Sequence, residues 1–363
     1  MKPSIIHVVQ HLKPGGIENF ALEFQRAAAP FFDVHVISLE KSSLHYSKRN
    51  YGKFYDFIHV LDKEPGWQTK TILKLTKIIK EIKPLYVHTH HIGPLIYGGL
   101  AARLSSVAKV IHTEHDAWHL TSFKRRTLQQ IFLKLVAPIV VADANFVASQ
   151  VRKLLPSIKP IVIANGIDEN RFKPAKVDKN TLLERANLPT HLTFIGCAAR
   201  LEPVKSHNTL IRALAKLPPN IGLLLAGTGS LLLTLKKLVK ELKLEERVFF
   251  LGHIQDMSSF YPLLDVFCLS SSNEGLPLSP LEAQACNIPV VLTNVGGCRE
   301  AICEYTGKLV KPNNPTDLSQ ALLHTLKEKK TISPRVFIKN ERSINSMIRQ
   351  YISLTHTDLR GKL

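Results

Sequence analysis

The sequence predicts an α/β protein built from two doubly wound parallel-sheet domains. Short β-branched runs alternate with helical patterns along most of the chain, the alternation stops once near the middle, and it then resumes. The length of 363 residues is sufficient for two such domains. A hydrophobic content of 45% with 21% charged residues suits filled cores and excludes disorder along the whole chain.

The strand pattern occurs seven times in the first half of the chain. The predicted strands are Ile5–Val9, Val34–Ile37, Ile58–Leu61, Tyr86–Thr89, Val110–Thr113, Ile139–Ala142 and Ile161–Ile163. The predicted helices between them are Ile17–Ala29, Thr69–Ile82 and Leu95–Leu104. Because helices connect successive strands, we expect parallel strands with helices on both faces of the sheet.

The pattern pauses at residues 165–189, which are rich in Asn, Lys and Pro and are interpreted as a linker. The strands predicted after it are Leu192–Gly196, Leu223–Ala226, Val248–Leu251, Val266–Leu269 and Val290–Leu292. The helices predicted after it are His207–Lys216, Leu231–Lys243 and Pro280–Cys286. Open parallel sheets bind ligands beyond the carboxyl ends of their strands, so we expect the functional residues in the loops that follow the strands.

The net charge indicates which binding partners are expected, and the cysteine content indicates the cellular compartment. A net charge of +19 favours anionic partners, but it is spread over both halves and is not interleaved with aromatic residues, which argues against nucleic acid. An odd number of cysteines, five, without a CxxC pair indicates a reducing cytoplasm. No apolar run approaches the ~20 residues that cross a bilayer, so membrane contact is expected to be peripheral at most.

Two loops have the composition of anion-binding sites. Gly15 and Gly16 follow the first strand and open a helix, where the backbone can approach a ligand and the helix start favours an anion. Arg200 and Lys205 flank a turn into a helix, from which two cations can hold a diphosphate. The alternatives are a tight turn for the glycines and solvated surface charges for the cations.

A third loop carries two carboxylates. Glu274 follows the predicted strand Val266–Leu269, and Glu282 lies near the first turn of the next helix. A carboxylate here is a good hydrogen-bond acceptor for ribose hydroxyls. The backbone between the two carboxylates would face the anion through Gly275, Leu276, Pro277, Leu278 and Ser279. The alternative is an exposed Glu274 and a Glu282 that is stabilised by the helix dipole.

Histidines and acids cluster at strand ends in the first domain. The run from His112 to Asp116 matches neither HExxH nor a two-histidine, one-carboxylate site, so no metal is predicted and a sugar-facing or acid–base loop is favoured. His88, His90 and His91 are interpreted as packed or cleft-edge histidines.

Two segments combine apolar residues with cations and suggest contact with an anionic membrane. In Thr69–Lys83 the alternative, a helix packed on the sheet with a solvated lysine face, is favoured. The segment from Trp118 to Arg126 mixes aromatic residues with cations and is the better candidate.

The order of these motifs resembles the retaining glycosyltransferases of family 4, which have the GT-B architecture of two Rossmann-like domains facing each other across a cleft. The resemblance covers nearly the whole chain and is most specific in Arg200…Lys205 with Glu274-x7-Glu282. Its weaker matches are Gly15-Gly16, His115, Asn165-Gly166-Ile167-Asp168, Gly227-Thr228-Gly229, Leu251-Gly252-His253, Gly296-Gly297-x-x-Glu300 and a final helix at Ile344–Tyr351. It implies an acceptor domain at 1–170 and a donor domain at 171–339, with a C-terminal helix at about 340–363 that crosses back.

The resemblance also implies roles for the matched residues. Of the catalytic residues that it implies, Arg200 and Lys205 would hold the donor diphosphate, Glu274 would bind the donor sugar, and His115 would be the active-site histidine beside that sugar. Glu282 would bind the ribose of the nucleotide. Further donor-binding residues would be Gly15, Gly16, Gly227, His253, Ile254 and Gly275–Ser279. The sequence departs from the family at Arg299, where Pro is usual, and at Gly227-Thr228-Gly229, where GDG is usual.

The implied protein is a cytoplasmic, metal-independent, retaining hexosyltransferase without a cofactor, peripheral at the cytoplasmic membrane face if it contacts a membrane. It would move a sugar from a nucleotide-sugar to a glycan or lipid-linked acceptor in cell-surface polysaccharide or glycolipid biosynthesis. Two alternatives stay open: a GT-B epimerase or phosphorylase, and a non-catalytic basic scaffold that binds nucleic acid or lipid.

Overall fold

The computed structural model describes residues 2–13, 15–41, 52–328 and 332–355. The chain divides into two compact units, of which unit 1 comprises Met1–Gly166 and Ile344–Leu363, and unit 2 comprises Ile167–Ser343. The boundaries expected from the sequence, after residue 170 and near residue 340, lie a few residues from these divisions. Every helix in the described ranges is too short or too polar to cross a bilayer.

Unit 1 is built on a seven-stranded sheet in which all strand pairs are parallel. Its strands are β1 (Ser4–Val9), β2 (Asp33–Ser38), β3 (Ile58–Val60), β4 (Tyr86–His90), β5 (Lys109–Glu114), β6 (Ile139–Ala142) and β7 (Ile161–Val162). The helices that connect them are α1 (Gly16–Ala28), α2 (Thr69–Ile82), α3 (Ile92–Leu104), α4 (Phe123–Val136) and α5 (Asn145–Leu154). The strand order is β3-β2-β1-β4-β5-β6-β7, so the direction of winding reverses between β1 and β4. Such a reversal opens a ligand-binding crevice at the carboxyl edge of a sheet.

Unit 2 has a six-stranded, all-parallel sheet in the order β10-β9-β8-β11-β12-β13. Its strands are β8 (Thr193–Ala198), β9 (Ile221–Ala226), β10 (Val248–Gly252), β11 (Val266–Leu269), β12 (Val290–Thr293) and β13 (Lys308–Val310). Its helices are α6 (Lys179–Arg185), α7 (His207–Leu214), α8 (Leu232–Glu241), α9 (Ser279–Ala285), α10 (Pro315–Lys327) and α11 (Pro334–Glu341). The strands β8 and β11 are neighbours although about 70 residues separate them, so the loops that follow them meet.

The last described helix, α12 (Ile344–Ser353), belongs to unit 1 although it follows all of unit 2 in the sequence. Its buried residues repeat at helical spacing and join the core that contains Phe20, Phe24 and Tyr86; they are Ile344, Met347, Ile348, Tyr351 and Ile352. The Tyr351 hydroxyl lies 3.0 Å from Thr113 Oγ1 in β5. The expected final helix is therefore present, while residues 356–363 of its predicted range lie outside the described residues.

All twelve predicted strands are present, and their bounds differ from the prediction by two residues or fewer. The sequence prediction missed the three-residue strand β13 and helices α4, α5, α6, α10 and α11, of which α6 lies inside the predicted linker. In α4 the apolar Phe123, Ile131 and Leu135 are exposed while Gln129 is buried, so its amphipathic pattern is weak. The helix predicted at Thr69–Ile82 has its exact predicted bounds as α2 and packs through Ile72, Leu75 and Ile79, with its lysines exposed.

We predict that Ile348→Ala lowers the free energy of unfolding of the protein by about 2 to 5 kcal/mol, because it leaves a cavity in the core of unit 1. Urea denaturation measures this loss. The matched control is Arg349→Ala, the exposed next residue, which should change stability by less than about 0.5 kcal/mol. Equal stability of the two variants would contradict the packing of α12 in this core.

Candidate active site

An ion pair connects two of the predicted site residues at the carboxyl edge of the unit 2 sheet. Lys205 ends a short 3-10 turn after β8, and Glu274 lies in the loop after β11. Lys205 Nζ is 2.6 Å from Glu274 Oε1 and 2.9 Å from Oε2, and Ser271 Oγ donates to Oε1 at 2.5 Å. Glu274 is buried, so these donors compensate its removal from water and fix its orientation.

The Arg200 side chain is not part of this cluster. It is exposed, and it forms no hydrogen bond or ion pair with the residues that the structure describes. Its backbone is held in a turn, because the Leu201 amide donates to the Thr228 carbonyl and the Glu202 amide donates to the Arg200 carbonyl. The structure therefore brings Lys205 to Glu274 and leaves the second predicted cation open to solvent.

The second carboxylate, Glu282, lies in the first turn of α9 and is also buried. The Tyr261 hydroxyl, itself fully buried, donates a hydrogen bond to Glu282 Oε2. Burial and the adjacent carboxylate hold the pKa of Tyr261 well above its usual value, so this hydroxyl stays a donor. Neither Ser271 nor Tyr261 was among the predicted site residues, although Ser271 could have been found from its place three residues before Glu274.

Glycines fix the backbone of two loops at the carboxyl edge of the unit 2 sheet, the loop that carries Glu274 and the loop after β9. Gly296 has φ +52°, and a Cβ there would overlap the carbonyl oxygen of Glu274, while the Gly297 amide donates to the Gly275 carbonyl at 3.0 Å. Gly227 has φ +138° and donates to the Gly252 carbonyl at 2.7 Å. The loop that carries Glu274 is therefore held by backbone contacts that a side chain at residue 296 would exclude.

The predicted base-binding segment follows β10. His253 is exposed, whereas Ile254 lines a cavity of about 360 Å³ in unit 2. The other lining residues are Leu182, Arg185, Ala186, Leu188, Leu251, Ser259, Phe260 and Leu263. In the predicted anion segment, Leu276 and Pro277 are buried, Gly275, Leu278 and Ser279 are partly exposed, and Ser279 begins α9.

In unit 1 the two predicted glycines begin α1. Gly15 is the N-cap residue and Gly16 is the exposed first residue of the helix, with open space where a Cβ would stand. Glu18 in the first turn lies 3.0 Å from His11 Nδ1, and this contact raises the pKa of His11. The helix start is therefore open to solvent at Gly16, as an approach to a ligand requires.

His115, the predicted catalytic histidine, lies just after β5 and is held on both ring nitrogens. Its Nδ1 is 3.1 Å from Asp143 Oδ2, and its Nε2 is 3.0 Å from His90 Nδ1. Asn165 Nδ2 donates to the same Asp143 oxygen at 3.0 Å. Burial raises the pKa of Asp143, and the contacts with His115 and Asn165 oppose this shift. Asp143 was not predicted, although its position directly after β6 is the signal that could have found it.

Other polar side chains at the carboxyl edge of the unit 1 sheet form hydrogen bonds with one another. Glu114 lies 2.9 Å from His112 Nε2 and accepts a hydrogen bond from Gln129. The interpretation of His88 and His90 as packed histidines is confirmed, because both are fully buried. Together with His7 they form a group in which one ring nitrogen of each histidine lies within 4.8 Å of the others, and Phe20 and Phe24 of α1 pack against it.

The comparisons with known proteins agree with these two parallel sheets. Residues 14–171 match the model of Glycosyltransferase Family 4, and residues 178–344 match that of Glycosyl transferases group 1. Together these matches span nearly the whole chain. The chain thus belongs to the family 4 type of glycosyltransferases, and its fold is the GT-B fold of two Rossmann-like domains.

Two curated relatives match over most of their length. The UDP-Gal:alpha-D-GlcNAc-diphosphoundecaprenol alpha-1,3-galactosyltransferase of Escherichia coli is 27% identical over 90% of this chain and 89% of its own. A GDP-mannose-dependent monoacylated phosphatidylinositol monomannoside mannosyltransferase of Corynebacterium glutamicum is 25% identical over 86% of this chain and 85% of its own.

Solved structures are similar over the full chain. The crystal structure of Anabaena HepE in complex with UDP and glucose has a TM-score of 0.84 at 20% identity, covering 97% of this chain and 99% of its own. A glycosyltransferase from Rickettsia africae has a TM-score of 0.80 at 24% identity, covering 98% of each chain. At this level of identity, the similarity establishes the shared fold.

The buried histidines predict that the protein loses stability as the pH falls below about 6.5. Burial lowers the pKa of His7 to about 3 and that of His207 to about 4. The unfolded chain therefore binds more protons than the folded chain between these values and 6.5, and stability present above pH 6.5 is lost on acidification. Each such histidine contributes a slope of up to about 1.4 kcal/mol per pH unit.

Urea denaturation of His207→Asn at a series of pH values tests this. The slope of stability against pH should be shallower than in the unmodified protein, because one group that must stay neutral is removed. The exposed His191→Asn is the control and should leave the slope unchanged. An unchanged slope in both variants would contradict the prediction.

Proposed function

We propose that the protein is a retaining hexosyltransferase that moves a sugar from a nucleotide-sugar donor to a glycan or lipid-linked acceptor in cell-surface polysaccharide or glycolipid biosynthesis. The observation that carries the proposal is the ion pair of Lys205 with the buried Glu274 at the carboxyl edge of the unit 2 sheet. The names of the two relatives given above describe acceptors that are a lipid-linked sugar and a phosphatidylinositol mannoside. These names support a glycan or lipid-linked acceptor for this protein. The nucleotide donor is supported by the fold shared with HepE, which was crystallised with UDP.

In the proposed reaction, cations stabilise the leaving nucleoside diphosphate. Arg200 is exposed on a backbone turn, so its guanidinium is available for a bidentate contact with phosphate oxygens. Lys205 is held in position by Glu274 before the donor arrives. Charges that are already positioned stabilise a departing diphosphate without reorganisation. In this proposal these two side chains supply the positive charge, and neither a divalent metal nor a cofactor takes part.

The two carboxylates are proposed to bind hydroxyl groups of the donor. Glu274, oriented by Ser271 and Lys205, would accept hydrogen bonds from the sugar, and Glu282, oriented by Tyr261, would accept them from the ribose. Because each carboxylate has a fixed protein donor, its remaining lone pairs point in defined directions. This preorganisation favours one donor geometry over others.

The remaining predicted residues complete the donor site in this proposal. Gly15 and Gly16 would approach the phosphate or sugar at the open start of α1, and His115 would lie beside the sugar. Gly227, His253, Ile254 and the segment Gly275–Ser279 would contact the nucleotide. Retention is proposed to follow from attack on the same face of the sugar, with the leaving phosphate accepting the acceptor's proton.

The proposal includes a cytoplasmic location and peripheral contact with an anionic membrane. All five cysteines are free and buried, as in a reducing compartment. On α4, the exposed Phe123, Ile131 and Leu135 stand beside the exposed cations Lys124 and Arg125. Apolar and basic side chains on one exposed helix suit the surface of an anionic bilayer.

We predict that Arg200→Ala and Lys205→Ala each weaken the binding of nucleoside diphosphate at least about tenfold, because each removes a charged hydrogen bond to phosphate. Isothermal titration calorimetry with UDP and GDP, with and without EDTA, measures the affinity. Arg212→Ala, which removes an exposed arginine of α7, is the control and should bind normally. Normal affinity in the two site variants would refute the diphosphate contact, and loss of affinity in EDTA would refute metal independence.

Glu274→Gln should lower kcat about 100-fold, because the amide keeps the shape of the side chain but loses its charge. Its affinity for UDP or GDP should change only a few-fold, since these lack the sugar and the amide oxygen can still accept a hydrogen bond from Lys205. Initial rates with purified lipid-linked acceptor measure the loss, and NMR of the product reports the anomer. The exposed Glu246→Gln is the control. Full activity of Glu274→Gln, or donor consumption that needs no acceptor, would contradict the proposal.

A further inference from the structure

We infer that His7 and His90 are positioning residues in a relay of hydrogen bonds, Asp143–His115–His90–His7, in which the proton positions on the three imidazole rings change together. The relay crosses four adjacent strands of unit 1, because its members lie in β1, at the end of β4, after β5 and after β6. Its relevance to turnover rests on the proposed function, which puts His115 beside the sugar. The relay itself does not depend on that function.

The geometry of the relay is continuous. The distances are 3.1 Å from Asp143 Oδ2 to His115 Nδ1, 3.0 Å from His115 Nε2 to His90 Nδ1 and 3.1 Å from His90 Nε2 to His7 Nδ1. His7 and His90 are fully buried, and the His115 side chain is 7% exposed. Phe20 and Phe24 of α1 pack against these rings and exclude water.

One arrangement of protons satisfies every link. An ionised Asp143 only accepts, so His115 carries its proton on Nδ1 and accepts at Nε2. His90 then donates from Nδ1 and accepts at Nε2, and His7 donates from Nδ1. His7 Nε2 is left without a proton, and this buried atom has no hydrogen-bond partner among the described residues. The neutral relay therefore ends at an unprotonated nitrogen.

A second arrangement contains one more proton and keeps every link. The proton between His90 and His115 moves to His115 Nε2, the proton between His7 and His90 moves to His90 Nε2, and His7 gains a proton on Nε2. Only His115 is then doubly protonated, next to Asp143. Burial opposes a charge on His7 or His90, whose pKa values it lowers, so the positive charge stays at the end beside the carboxylate.

The titratable groups that face the relay are His88 of β4, His91 before α3, His112 of β5, Asp116 in the loop after β5 and Tyr351 of α12, while α1 contributes Phe20 and Phe24. His88 belongs to a different set of bonds, since its Nε2 is 2.7 Å from Thr113 Oγ1. It is as buried as His90, and the two rings are 4.1 Å apart, so His88 is a matched control.

This relay lets His115 change its charge without changing its position or losing a hydrogen bond. In the proposed reaction, negative charge develops on the leaving diphosphate. An imidazole that is held on both sides in either protonation state keeps its ring fixed opposite that charge, whether it is neutral or carries a proton taken from bulk water before the donor binds. His90 and His7 would act on the reaction only through His115.

The direct test is NMR of the full-length protein labelled with ¹⁵N in its histidines, recorded between about pH 5 and pH 8. Ring ¹⁵N shifts report which nitrogen carries the proton. We expect Nδ1–H on His7, His90 and His115 at high pH, and we expect His7 to change to Nε2–H in the same step in which His115 gains its second proton. His88 should keep one tautomer throughout.

Two results would overturn the relay. One is a His7 tautomer that stays constant over the whole pH range of this NMR experiment. The other is stoichiometric zinc in the purified protein that is lost on His88→Ala, because a metal on this histidine group would occupy the nitrogens that the relay needs. The first of these results needs no variant, and the zinc content is measured first in the unmodified protein.

Variants then connect the relay with turnover. His90→Leu should abolish the response of His7 and lower kcat about tenfold, the effect of one hydrogen bond to a charged group, with little change in KM for the donor. His90→Asn, whose amide can still bond to His115, should recover most of kcat but not the response of His7. His88→Leu should leave the response of His7 in place.

The outcomes separate the relay from the proposed function. Equal losses of kcat in His90→Leu and His88→Leu would show a merely structural role and overturn the positioning of His115. Linked tautomers in a protein that transfers no sugar would support the relay and refute the proposed function. Unlinked tautomers in a protein that does transfer sugar would refute the relay and leave the proposed function supported.

Discussion

A carboxylate can be buried only where fixed donors replace the water it loses, and this constraint organises the functional edges of both sheets. In unit 2, Lys205 and Ser271 surround Glu274, and a tyrosine hydroxyl supports Glu282. In unit 1, His115 and Asn165 converge on Asp143. The same donors that stabilise each charge also fix its direction, so the rigidity that a recognition site needs arises from the requirement for burial.

Most of the fold could be predicted because it depends on local patterns. Buried parallel strands are continuous β-branched runs, and these runs are visible without any knowledge of their partners. The errors have a common cause. The strand β13 is only three residues long, and α4 buries Gln129 while it exposes Phe123, so neither has the pattern that marks its type. Only the packing of the folded chain decides such segments.

The site was predictable to a smaller extent. Spacing after a strand identified Lys205 and Glu274, and the family resemblance supplied the roles proposed for them. The contacts that orient the site join residues distant in sequence, as Tyr261 does with Glu282 and His7 does with His90. Such pairs follow from strand order and register, which no local pattern contains. Arg200 shows the converse error. Its spacing from Lys205 predicted that the two cations lie together, but the structure leaves the Arg200 side chain exposed.

The place of α12 has a consequence for how the protein forms during translation. Unit 2 is one continuous stretch of chain, whereas the core of unit 1 needs residues that follow all of unit 2. Until those residues leave the ribosome, Phe24 and Tyr86 lack the helix that covers them, even though their strands and helices were synthesised first. During translation, unit 1 therefore stays incomplete, with part of its apolar core uncovered, until α12 has been synthesised. The unit whose synthesis begins first is thus the last to complete its core.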